Sequence, residues 1–170
     1  MLRDKRILAV DPYSSGFGYA ILEGPEKLVD WGLKAGDDNR ECLHKAGRLI
    51  LRYGPDLLVV EDTDARGCQR RPRAIRLIRS LLTLAASRQV QARRISLRSV
   101  RRCFDNGEKP VKQRIALALV ERFPELEPFY SPRKRGEGED RLAIFDAVAL
   151  GCACYARSRK WPFLIHHPNA

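Results

Sequence analysis

Ile7-Leu8-Ala9-Val10 is an uninterrupted apolar run that stops at Asp11-Pro12. A run this short, without polar alternation, predicts a strand covered on both faces, and the restriction that proline places on the preceding residue ends it there. A turn at Tyr13-Ser14-Ser15-Gly16 leads to a second strand, Phe17 to Leu22, closed by Glu23-Gly24-Pro25, and Lys27 to Lys34 gives a third. Such short connections imply an antiparallel meander. Asp37 and Asp38 can cap a helix whose apolar positions Leu43, Ala46, Ile50 and Leu51 recur at helical spacing as far as Tyr53-Gly54-Pro55. That helix should cover one face of the sheet.

Asp56-Leu57-Leu58-Val59-Val60-Glu61 is again an apolar run that ends in an acid, and because it follows a helix it reads as a parallel crossover strand. An Arg-rich loop from Ala65 to Pro72 precedes a helix with Ile75, Ile78, Leu81, Leu82 and Ala85 on one side and Arg73, Arg76, Arg79 and Arg88 around it. Gln91 to Ser96 predicts a fifth strand. After Ser99, Arg101 and Arg102 come a turn at Asn106-Gly107 and a helix from about Val111 to Phe123, with Ile115, Leu117 and Ala118 toward the core. Pro124 to Gly138, rich in Pro, Gly and charge, reads as a mobile surface loop, and Glu139 to Arg157 as a last helix with small residues at Ala147 and Gly151-Cys152-Ala153 that permit close packing. The order is three strands, helix, strand, helix, strand, helix, helix. Length and pattern fit one α/β domain over residues 1–158 with a tail from 159 to 170.

Charge adds a partner class. The chain of 170 residues carries 32 Lys and Arg against 21 Asp and Glu, a formal charge of +11, and a field of that sign draws a polyanion to the surface. Arg predominates over Lys, which suits bidentate contact with phosphate. The five cysteines are scattered, without a CxxC pair, and no apolar leader follows Met1, so a reducing, cytoplasmic setting is expected. Cys152 and Cys154 read as small buried side chains, and His166 and His167 as exposed tail residues. No apolar run approaches the roughly 20 residues needed to cross a bilayer.

Two strands that each end an apolar run in a carboxylate, and a helix that brings a third carboxylate into a small apolar surround, form the pattern of a hard-cation site. The three are Asp11, Glu61 and Asp146. Carboxylates brought together at the edge of a buried strand pair are costly without a balancing cation. Magnesium or manganese (Mg2+ or Mn2+) would supply it, and two such ions could hold a scissile phosphate, one activating water and one stabilising the leaving oxygen. Taken singly each acid has a plainer explanation, as a turn residue or a backbone acceptor.

The stretch from Ile7 to Ile21 resembles the opening of RuvC-type Holliday junction resolvases within the ribonuclease H-like superfamily. Leu58-Val59-Val60-Glu61 resembles their fourth strand, Pro110-Val111-Lys112-Gln113-Arg114-Ile115 the segment that opens a DNA-facing helix, and Asp146-Ala147-Val148-Ala149-Leu150 their closing helix. The resemblance implies a ribonuclease H-like fold, a mixed five-stranded sheet in order 3-2-1-4-5 with helices on both faces, and strands one and four side by side. It also implies a fourth ligand, Asp or His, one helical turn before the last Asp, where this chain has Ala143. Glu139 or Asp140 could substitute by reaching inward. Where the family presents an aromatic wedge after the second acid, Asp62 to Arg73 has no aromatic residue and carries Arg66, Arg70, Arg71 and Arg73.

The resulting expectation is a divalent-metal-dependent endonuclease acting on structured nucleic acid, foremost branched DNA. Phosphate contacts are expected from Arg66, Arg70, Arg71, Arg73, Lys109, Lys112, Arg133, Lys134 and Arg135. Two symmetric nicks across a junction require a homodimer, with the helix from Ala74 to Arg88 as the expected interface because its apolar residues exceed what one sheet face requires. An RNA-processing nuclease of the same type and a nucleic-acid-binding scaffold with a decayed metal site are the alternatives, the second favoured by Ala143. The actin and sugar-kinase ATPases share this superfamily fold, but they need two such domains, which 170 residues do not supply.

Overall fold

The computed structural model describes residues 2–105, 112–130 and 139–157. Its centre is a five-stranded sheet in order β3-β2-β1-β4-β5, built from β1 (Arg6–Tyr13), β2 (Gly16–Glu23), β3 (Leu28–Ala35), β4 (Leu57–Glu61) and β5 (Gln91–Ile95). The first three strands are antiparallel neighbours, and β4 and β5 add in parallel to β1 and to each other. Each parallel addition needs a crossover, which α1 (Asn39–Tyr53) and α2 (Pro72–Ser87) supply. Asp38 caps α1 by accepting from the Glu41 amide, and Gly54 ends it in the left-handed conformation that a residue without Cβ enters freely.

Strand alternation divides the interior in two. Leu8 and Val10 of β1, Phe17, Tyr19 and Ile21 of β2, and Leu58 and Val60 of β4 face α1 and α2. Ile7 and Ala9, Ala20 and Leu22, and Leu57 and Val59 face the opposite layer, made of α3 (Leu97–Cys103), α4 (Lys112–Arg122) and α5 (Glu139–Arg157). With both faces covered, β1 and β4 can be apolar throughout. At one edge of the sheet, the exposed residues of β5 include Arg93 and Arg94, charges that discourage pairing with another strand.

α5 is the central helix. From Ala143 to Ala156 every residue but Asp146 is buried. It lies unusually close to the sheet at two glycines: a Cβ on Gly18 would come within 2.3 Å of the Ala143 backbone, and one on Gly151 within 2.5 Å of Leu22. At its far end the Tyr155 hydroxyl donates to the Lys5 carbonyl at 2.6 Å and accepts from the Gly24 amide at 2.9 Å, fixing the helix to the start of β1 and the end of β2.

Several expectations are corrected. Leu97–Cys103 forms a helix where only a run of basic residues before a turn was expected; Ser96 caps it through the Ser99 amide, and Val100 and Phe104 reach the core. Pro124–Phe129 forms a 3-10 helix instead of a mobile loop, because Leu126 is fully buried and Phe129 meets Trp31 edge-on, with ring centres 6.4 Å apart. The remainder of that expected loop, 131–138, the turn at Asn106-Gly107 and the tail with His166 and His167 lie outside the described residues. Leu51 and Leu117 are 78% and 45% exposed; the buried faces run through Cys42, Ala46, Leu49 and Ile50 of α1 and through Ile115, Ala116 and Leu119 of α4. On α2, Leu77, Ile78, Leu81 and Ala85 are buried and Leu82 and Leu84 pack partly buried against the same core, while Ile75 is half-buried outside it. Cys152 and Cys154 are buried, as expected.

The close approach at Gly18 predicts that Gly18→Ala, which pushes α5 off β2, costs about 3 kcal/mol. Gly47→Ala is the matched control: in α1 a new Cβ meets only Leu84, at 3.9 Å, and replacing a helical glycine should stabilise by about 0.5–1 kcal/mol. Urea unfolding of both variants checks the contrast.

Candidate active site

Register and alternation bring the two strand acids together. β1 and β4 pair through Ile7 with Leu57, Leu8 with Leu58 and Ala9 with Val59. Two residues beyond the last pair, Asp11 and Glu61 therefore stand level, on the same face as Ala9 and Val59, which is the face that α5 covers. Both are buried, 2% and 1% exposed, and they are the buried charged residues among those described. On the other side of β1, Asp11 pairs with Gly18, the glycine on which Ala143 rests. Asp146 lies about one helical turn further along α5.

Two basic side chains pair with this cluster. Arg70, on the segment between β4 and α2, donates from Nη2 to Asp11 Oδ1 and from Nε to Glu61 Oε2, and its Nη1 reaches the Pro12 carbonyl at 2.9 Å. Its side chain is 20% exposed. Burial works against the Arg70 charge, but Asp11 and Glu61 outweigh it and hold its pKa above the ordinary value. Lys112, the first residue of α4, donates to Asp146 Oδ2 at 2.7 Å. Burial, then the charge of Asp146, push the Asp11 carboxyl up to about 7 against the opposing pull of Arg70 and Lys112.

The expected phosphate-binding residues have different surroundings. Arg66 and Arg71 are exposed. Arg70 is turned onto the acids and Lys112 onto Asp146. Arg73 donates to the Ser14 and Gly36 carbonyls at 2.8 and 2.9 Å, which fastens the start of α2 to the tip of the β1–β2 hairpin. Lys109, Arg133, Lys134 and Arg135 lie outside the described residues, as does the Glu139 side chain. Asp140 is exposed, and after burial its charge is the next cause raising the Tyr13 hydroxyl pKa. Sequence reasoning missed the inward turn of Arg70, and nothing in the Arg-rich segment distinguishes it from Arg66 or Arg71.

Hard oxygen donors from three elements have the right chemistry for Mg2+ or Mn2+. Their arrangement in this conformation does not fit an ion: Asp11 and Glu61 already hold the Arg70 guanidinium, Ala143 brings no ligand, and among the described residues no three His, Cys, Asp or Glu side chains are grouped to bind a metal.

The sheet order, the crossovers and the two helical layers define a ribonuclease H-like α/β fold. No protein-family model matches the chain, and no curated protein matches it. Solved structures do. Thermus thermophilus RuvC in complex with a Holliday junction substrate is 12% identical with a TM-score of 0.63, over 91% of this chain and 95% of that one. Fowlpox virus resolvase with Holliday junction DNA is 16% identical with a TM-score of 0.53, over 90% and 97%. The yeast mitochondrial Holliday junction resolvase is 13% identical with a TM-score of 0.57, over 91% and 80%. The chain has the fold of the RuvC-type resolvases. No helix among the described residues is long and apolar enough to cross a membrane.

The position of Asp11 sets a pH dependence. Its folded pKa of about 7 lies above its ordinary 3.8, so the native state holds this proton more tightly than the unfolded chain, and the stability Asp11 contributes falls as pH rises from about 4 to about 7. Asp11→Asn should therefore gain stability relative to the wild type across that window and hold a constant difference outside it. Urea unfolding at a series of pH values measures this; a difference independent of pH would mean that Asp11 titrates as an ordinary carboxyl.

Proposed function

We propose that the protein is an endonuclease acting on branched DNA, with Asp11, Glu61 and Asp146 at the seat of phosphodiester cleavage. The observation that carries this reading is that Asp11 and Glu61 stand level on two adjacent parallel strands, with the half-buried Asp146 of α5 close enough for its charge to act on Asp11. Two of the matched structures contain Holliday junction DNA, and the net charge of +11 suits a phosphate-rich partner. Acids gathered around a phosphodiester repel it unless a cation intervenes, so the proposal includes dependence on Mg2+ or Mn2+. It also includes a homodimer, since symmetric nicks across a four-way junction follow from two-fold symmetry.

A second reading, a nucleic-acid-binding scaffold without cleavage, is favoured by a specific observation: Arg70 and Lys112 already bond to the three acids, and Ala143 stands where the resemblance implies a fourth ligand.

The test offers the purified chain a labelled four-way DNA junction, matched duplex, single strand and structured RNA, with Mg2+, with Mn2+ and with EDTA. Paired nicking of the junction is expected, lost in EDTA and in Asp11→Asn, Glu61→Gln or Asp146→Asn while junction binding persists. Full activity in any of these variants would remove that residue from the site. Cutting confined to RNA would establish an RNA-processing nuclease, and tight binding without cleavage the scaffold.

A further inference from the structure

Arg70 occupies one oxygen on each of the two acids that would hold a divalent ion. Its guanidinium takes one oxygen of Asp11 and one of Glu61 and rests a third donor on the Pro12 carbonyl at 2.9 Å. A guanidinium and a divalent ion seated on the same pair of acids are both cations, and at contact distance in a mostly buried cleft their repulsion is weakly screened. The acids, in turn, cannot be left without a partner, since an uncompensated buried charge is strongly unfavourable. The two cations are therefore alternatives. The segment that carries Arg70 is distinct from the anchor behind it. Arg73 fastens the first turn of α2 to Ser14 and Gly36, whereas the side-chain bonds of Arg70 all end on the acids and Pro12, so withdrawal of Arg70 leaves the docking of α2 in place.

We propose that Arg70 is a built-in competitor for divalent cations at the Asp11–Glu61 pair, so that an ion binds only when the guanidinium leaves, and the folded protein takes up Mg2+-like ions weakly. The inference rests on the proposed function only for the identity of the cleft. It assigns Arg70 to control of metal affinity and not to phosphate contact.

Mn2+ binding, followed by the loss of the free-ion electron paramagnetic resonance signal, tests it on the full-length wild type, Arg70→Gln, Arg70→Lys and the double variant Arg70→Gln with Asp11→Asn. If the guanidinium is withdrawn less than a tenth of the time, Arg70→Gln should bind Mn2+ at least about tenfold more tightly than the wild type. Arg70→Lys, with a single point charge in place of the fork, should fall between them. The double variant should lose the gain. Equal affinity in the wild type and Arg70→Gln would overturn the inference, as would a gain that survives Asp11→Asn. Should Arg70→Gln not hold its fold alone, the same titration is read by circular dichroism: refolding by Mn2+ supports the exchange of cations, and failure of millimolar Mn2+ to restore the fold overturns it. Nicking of a four-way junction is measured separately on the same samples. Tight Mn2+ binding by Arg70→Gln, with no nicking by either that variant or the wild type, would sink the nuclease reading and leave this inference standing.

Discussion

The seating of α5 on the β1–β2 hairpin is the constraint from which the rest of the molecule follows. Backbone meets backbone where Ala143 rests on Gly18, and no side chain separates them. A helix held so close has little freedom to slide or roll, because an interior packed at crystal-like density offers no alternative seat. Tyr155 fixes the other end through two hydrogen bonds to the sheet. Between these points the helix can be buried almost all round, which explains why its sequence lacks a polar face and why Asp146 is the exception. The same approach explains Ala143: a helix this close to the sheet favours a small residue at the contact, and the cleft loses a carboxylate there.

The consequences reach the acids through the register of β1 and β4. Once Ala9 pairs with Val59, the two-residue repeat of a strand puts Asp11 and Glu61 level and on the α5 face. Two carboxylates so deeply buried must find a cation. Arg70 provides it from a segment that has neither regular structure nor a core of its own. Buried ion pairs contribute little net stability, because desolvation offsets most of the attraction, but their individual members are hard to remove. Arg70 is thus better understood as a condition for keeping the acids than as a device for stabilising the fold.

Basic residues elsewhere divide into those that serve the chain and those that face solvent. Arg73 fastens the hairpin tip to α2, and Arg6 joins Glu23 and the Tyr53 carbonyl. Arg66, Arg71, Arg93, Arg98, Arg101 and Arg102 are exposed. Among the described residues, the second group can meet phosphate without first breaking an internal bond, so the positive field overstates the number of described residues available to a nucleic acid.

The strands and the larger helices were legible in the sequence because periodicity and chain breakers are local signals: the apolar runs ending in Asp11 and Glu61, the Asp38 cap and the small residues of the last helix each carry their meaning within a few positions. The candidate acids were legible for the same reason. The helix at Leu97–Cys103 was obscured by its arginines, which sit on its solvent side, and the 3-10 turn at Pro124–Phe129 by prolines that suggest a loop but here only limit the helix type. Strand order came through the family resemblance and not through spacing, since adjacency of β1 and β4 depends on how the crossover is wound. What tertiary structure alone decided is the partner of each charge. Arg66, Arg70, Arg71 and Arg73 are chemically the same residue in one short segment, and Arg70 lies against Asp11 and Glu61 because the path of the chain from β4 to α2 passes over the ends of β1 and β4, a fact of three-dimensional distance that no local pattern encodes.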